Sequence, residues 1–110
     1  MNYLQELGLK YGTDKSRHTY NKTTYLDTYN KYFLERRNDI KVFVEIGVLN
    51  GNSLKMWSEY FPNAIIYGLD INPDCKRFES DRIKILIGDQ NDNIFLNHVK
   101  NFIGDIDILR

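Results

Sequence analysis

From Ile40 onward the chain alternates between short, nearly continuous apolar runs and segments whose apolar positions recur at helical spacing. Residues 42–46, Val-Phe-Val-Glu-Ile, are a run of the first kind, rich in β-branched residues, and such runs mark strands covered on both faces. Residues 65–69 and 83–87 repeat the pattern, and residues 106–109 begin a fourth strand. Between the first two, residues 53–60 predict a helix that turns Leu54, Trp57 and Phe61 toward the sheet and stops at Pro62-Asn63. Asn72-Pro73-Asp74 predicts a short helix with Asn72 as N-cap and Pro73 in its first position. Asp92 predicts the cap of a further helix carrying Ile94, Phe95, Val99 and Phe102. Strand and helix in strict alternation imply an α/β fold around an open parallel sheet, Rossmann-like in type.

Residues 1–38 have a different texture, with tyrosines scattered among polar residues, and are read as an N-terminal helical and loop appendage to a domain over residues 39–110. Tyr25, Tyr29, Tyr32 and Phe33 fall on one face of a helix that Thr23 or Thr24 would cap and that runs into Arg36-Arg37. That stripe reads as packing. Residues 9–18, which include Thr13, Asp14, Lys15 and His18, lack apolar period and are expected to form a loop, either a solvated turn or a lid.

Composition narrows the partners. The 110 residues suffice for one domain, and Lys plus Arg balances Asp plus Glu at 15 each, which leaves no excess field to hold nucleic acid or an anionic membrane. The one cysteine, Cys75, excludes an intrachain disulfide and is read as a small buried hydrophobe; a cytoplasmic setting is the expectation. The opening residues have neither a basic stretch nor an apolar core of the kind an export signal needs. His98 and Trp57 read as surface and core residues respectively.

The chemistry concentrates where the strands end. Gly47 and Gly51 bracket the turn after the first strand, where a missing side chain lets backbone approach a ligand and tolerates positive φ. A pyrophosphate loop reads Gly-x-Gly-x-x-Gly, whereas this one is Glu-x-Gly-x-x-x-Gly. Glu45 would oppose a pyrophosphate but would suit a ligand bearing an ammonium or sulfonium. Asp70 follows Gly47 by roughly 20 residues, the spacing at which a carboxylate accepts ribose hydroxyl protons. Asp89 ends the third strand, placed to receive an exocyclic adenine amine, with Gln90 beside it. With Val48, Asn50 and Ser53 in the first turn and Ile71 next to Asp70, these form the candidate cofactor-binding set.

On these residues the chain resembles the class I S-adenosylmethionine-dependent methyltransferases. Tyr11-Gly12-Thr13-Asp14-Lys15 with His18 and Tyr20, then Glu45-Ile46-Gly47-Val48 and Ser53-Leu54-Lys55-Met56-Trp57, is similar to the macrolide and sugar O-methyltransferases of the mycinamicin and tylosin type. The resemblance implies S-adenosylmethionine as cofactor, a small-molecule hydroxyl as acceptor, and a sheet of about seven strands. The sequence would then be the cofactor-binding N-terminal portion of such an enzyme, truncated after strand 4. The family's catalytic and magnesium-binding residues match no positions here, so the catalytic residues are unknown and no metal ligands are assigned. The alternative is an inactive remnant that binds or self-associates, forming a homo-oligomer through the strand 4 edge. A nicotinamide-dependent oxidoreductase also fits the sheet but lacks the triple-glycine loop.

Overall fold

Val42–Ile46 forms β1, the strand from which the rest of the sheet is built. In the computed structural model, which describes residues 3–12, 33–48 and 50–110, it is flanked by β2 (Ile65–Asp70) and by the two-residue β4 (Ile108–Leu109). β3 (Ile83–Ile87) pairs with β2, and all pairings are parallel, giving the order β3-β2-β1-β4. Among the described residues three α-helices accompany the strands: α1 (Tyr3–Tyr11), α2 (Asn52–Tyr60) and α3 (Asn93–Ile103).

Side chains alternate across the pleat, so β1, β2 and β3 each feed two cores. Phe43, Ile66, Ile83 and Ile85 face α2 in a cluster with Leu54, Trp57, Tyr60 and Phe61, where Phe43 stacks on Trp57 at 5.0 Å between ring centroids. Val44, Leu69 and Val99 centre the opposite cluster, with Leu86, Phe95, Leu96 and Ile103 against them. β1 is therefore covered on both faces, as its apolar run predicts. Gly68 lies where a Cβ would come within 2.7 Å of Leu54 and 2.8 Å of Val48, so its lack of a side chain lets α2 and the loop before it settle onto β2.

Leu4 and Leu7 of α1 are buried in the α2-side core. Glu59 of α2 accepts hydrogen bonds from Tyr3 Oη at 3.2 Å and from Lys10 Nζ and Tyr11 Oη at 2.8 Å. Arg37 stacks over Tyr3 and Tyr60 and donates to the Tyr60 carbonyl. Residues 9–11, expected in a loop, belong to α1, because Leu4, Leu7 and the Glu59 contacts hold that turn against α2. Thr13 to His18 and the stripe of Tyr25, Tyr29 and Tyr32 lie outside the described residues.

Other differences are local. Pro73–Phe78 is a 3₁₀ helix, although Asn72 caps it as expected by accepting the Asp74 N–H at 3.0 Å. Asp92 caps α3 through the N–H groups of Ile94 and Phe95, but Ile94 and Phe102 are exposed, and the inward stripe is buried Val99 with half-buried Phe95, Leu96 and Ile103. β4 begins at Ile108, two residues later than the apolar pattern suggests, because the Asp107 carboxylate turns back to accept the N–H groups of Lys41 and Val42.

Candidate cofactor cleft

A cleft of about 420 Å³ opens at the carboxyl ends of β1, β2 and β3, within the size range of small-molecule sites. Ile46 and Gly47 come from the end of β1, Leu69, Asp70 and Ile71 from β2, and Gly88, Asp89, Gln90 and Asn91 from β3. Parallel strands put all their carboxyl ends on one side, which brings three residue groups far apart in sequence into one wall.

The turn after β1 is shaped by its glycines. Gly47 has φ +90° and Gly51 has φ +77°, conformations that an L side chain rarely adopts. The Gly47 N–H donates to the Leu69 carbonyl at 2.8 Å, and the Gly51 N–H to the Val48 carbonyl at 2.9 Å. Nothing lies within 4 Å of where a Cβ on Gly47 would stand, so at that residue the backbone is open to a ligand. α2 then starts at Asn52, whose N–H donates to Asn50 Oδ1 at 3.1 Å.

Asp70 joins the two strand ends. Its Oδ2 accepts the Val48 N–H at 2.8 Å, and its Oδ1 accepts the Asn72 N–H at 2.9 Å. Burial, followed by the nearness of the Asp70 carboxylate, pushes the thiol of buried Cys75 up from its ordinary range. Asp89 is exposed and accepts the Asn91 N–H at 2.8 Å, which leaves its side chain at the rim of the cleft beside Gln90.

Five of the sequence-predicted residues thus line one cleft: Gly47, Asp70, Ile71, Asp89 and Gln90. The others are outside its lining. Val48 and Gly51 are buried, Asn50 is exposed on the turn, and Glu45 is only 3% exposed. Glu45 shares its pleat face with Phe43 and so points toward α2, where its Oε2 accepts the Trp57 indole N–H at 3.0 Å and the Ser53 hydroxyl at 3.1 Å. Arg110 Nε lies 3.4 Å from the same oxygen. Ile46, Leu69, Gly88 and Asn91 also line the cleft, outside the candidate cofactor-binding set. Only Gly88 carried a signal, a glycine directly before a strand-end acid; a Cβ there would meet the Phe95 ring at 2.3 Å. Among the described residues no group of three or more His, Cys, Asp or Glu could hold a metal, and no helix is long and apolar enough to cross a membrane.

No protein-family model matches the chain. Among characterised proteins it is 34% identical, over 96% of its own length, to 8-demethyl-8-alpha-L-rhamnosyl tetracenomycin-C 2'-O-methyltransferase of Streptomyces olivaceus. It is 36% identical, over the same share, to mycinamicin VI 2''-O-methyltransferase of Micromonospora griseorubida. The chain spans 29% and 27% of the length of those proteins. A solved structure described as MycE methyltransferase from the mycinamycin biosynthetic pathway, in complex with Mg and SAH, superposes over 98% of this chain and 27% of its own. Its TM-score is 0.80 at 33% identity.

Proposed function

Because the chain belongs with the macrolide and sugar O-methyltransferases, within the class I S-adenosylmethionine-dependent enzymes, over the part of their length that it spans, we propose that it forms the methyl-donor site of such an enzyme. One observation carries the reading: Gly47, Asp70 and Asp89, from three successive strand ends, line a single cleft. The residues fit the ligand. Asp70 lines the cleft at the end of β2, and its carboxylate is an acceptor of the kind that ribose hydroxyls donate to. Exposed Ile71 offers an apolar surface beside it for a purine ring, while Asp89 and Gln90 meet the edge of the base. Gly47 lets the rest of the ligand run close to the backbone.

Bound S-adenosylmethionine supplies an electrophilic methyl group on its sulfonium. This chain's part is to bind and orient that donor, since fixing the methyl carbon against an acceptor oxygen removes much of the barrier to in-line displacement. The finer reading, taken from the named relatives, is that the acceptor is a sugar hydroxyl on a natural product. Magnesium is assigned no ligands among the described residues. Glu45, held by Trp57, Ser53 and Arg110, acts by fixing the turn and by its charge.

Calorimetric titration of the chain with S-adenosylhomocysteine tests the donor site. One-site binding that Asp70→Ala reduces by at least about tenfold is expected, from the loss of charge-assisted hydrogen bonds and of the loop tether. A folded chain that gives no binding would overturn the reading. A second reading, self-association, is favoured by the β4 edge: among the described residues β4 pairs only with β1, and Leu109 is 63% exposed.

A further inference from the structure

The loop that carries Gly47, Val48 and Gly51 is gripped twice by the connection that leaves β2. At its start, Asp70 Oδ2 accepts the Val48 N–H. At its end, Phe78 covers Gly51, where a built Cβ would stand 2.8 Å from Phe78 Cγ and 2.9 Å from Cδ1, closer than such atoms come. The aromatic ring therefore rests directly against the glycine backbone at the entry to α2. Phe78 closes the 3₁₀ helix Pro73–Phe78, packs against the α2-side core, and has the Arg77 guanidinium 4.8 Å from its ring centroid. It is absent from the lining of the cofactor cleft and faces a different depression, beside Lys55 and Ser58.

We propose that Phe78 is a positioning residue: through Gly51 it holds the glycine loop in its cofactor-ready shape while touching no part of the cleft. The physical reason lies in the two positive-φ glycines. A loop built on residues with the widest conformational freedom is held more firmly when outside contacts add to its internal hydrogen bond from Gly51 to Val48. Asp70 fixes one end by hydrogen bonding, and a flat, half-buried ring fixes the other by excluded volume. The glycine at position 51 and the phenylalanine at 78 are thus one device. Any side chain at Gly51 would displace the ring, and losing the ring would leave Gly51 held by its backbone hydrogen bonds to Val48 and Lys55 alone.

The consequence for affinity rests on the donor-site reading, whereas loop holding does not, so two measurements separate them. Amide hydrogen exchange is followed on the unliganded chain and on Phe78→Ala and Phe78→Leu. S-adenosylhomocysteine and adenosine are then titrated into each. In Phe78→Ala the amides of Val48 and Gly51 are expected to exchange about tenfold faster, with β1 and β2 amides changed by less than about threefold. Affinity for S-adenosylhomocysteine is expected to fall about tenfold, and that for adenosine, held by the Asp70 to Gln90 side, by less than about threefold. Phe78→Leu should give intermediate values in both, and it carries the same contrast if the alanine variant does not fold. Loop exchange that is unchanged, or that rises equally with the strands, would overturn the proposal. So would an equal loss of affinity for both ligands. Absence of binding by the unaltered chain would instead sink the donor-site reading, and the exchange contrast would still decide the role of Phe78.

Discussion

Glu45 is the residue whose type was legible and whose setting was not. As an acid two positions before Gly47 it marks the motif, but its direction follows from the pleat, which turns it to the same side as Phe43 and into contact with Trp57 and Ser53. A buried carboxylate is costly unless its acceptors are met, so the indole N–H matters more than the size of the ring suggests. Trp57→Phe should destabilise the chain by about 1–3 kcal/mol, measured by urea unfolding, because it leaves Glu45 short of a donor. Glu45→Gln keeps an acceptor in place, and in the Trp57→Phe background it should recover part of that loss. Trp57 was rightly read as core, yet no spacing rule reveals that its nitrogen serves the strand-end acid. Asp70 and Asp89 were easier. Each ends a strand, and the parallel sheet makes strand ends converge whatever surrounds them.

Helix ends and helix docking are matters of the element. Arg82, just before β3, donates to the carbonyls of Ser58 at 2.7 Å, Ala64 at 2.9 Å and Phe61 at 3.0 Å, meeting acceptors at and beyond the end of α2. Arg82→Met should cost about 2–3 kcal/mol of stability by chemical denaturation, the range for hydrogen bonds to a charged group. α1 is tied to α2 through Glu59, whose carboxyl is held below its usual range first by Lys10 and then by Tyr11, with Tyr3 adding to the effect. Glu79 and Asp107 are lowered as well, by the backbone N–H of Ile85 and by those of Lys41 and Val42. A carboxylate with a depressed folded pKa stabilises the fold above its unfolded value and loses that contribution as pH falls through the folded value. The melting temperature should therefore hold near neutrality and drop below about pH 4.5, and Glu59→Gln should flatten part of that drop. The helical stripes were only partly legible. In α3 more than half the positions are apolar, so spacing alone did not separate buried Val99 from exposed Ile94 and Phe102; the position of the sheet did. The segment after Asn72 was legible as a capped start, but its 3₁₀ form follows from the brief span before Glu79 turns to accept the Ile85 N–H at 2.9 Å.

At the scale of the whole molecule, the sheet of the described residues has β4 at its edge, which runs parallel to β1 for two registered pairs, Phe43 with Ile108 and Val44 with Leu109. An uncovered apolar strand edge tends to pair with another chain. Light scattering should find association that grows with concentration, and Leu109→Lys should shift it toward the monomer; a monodisperse monomer across the range would count against the edge as an interface. The sequence by itself determined the strand and helix order from Ile40 onward, the parallel sheet, and the glycines and acids at the strand ends, because these depend on local periodicity and on backbone conformations few residues adopt. Tertiary structure decided that Glu45 faces α2, that Asp70 ties Val48 to the end of β2, and that Phe78 lies on Gly51. These contacts join residues far apart in the chain, and their geometry is set only when the two faces of the sheet are packed.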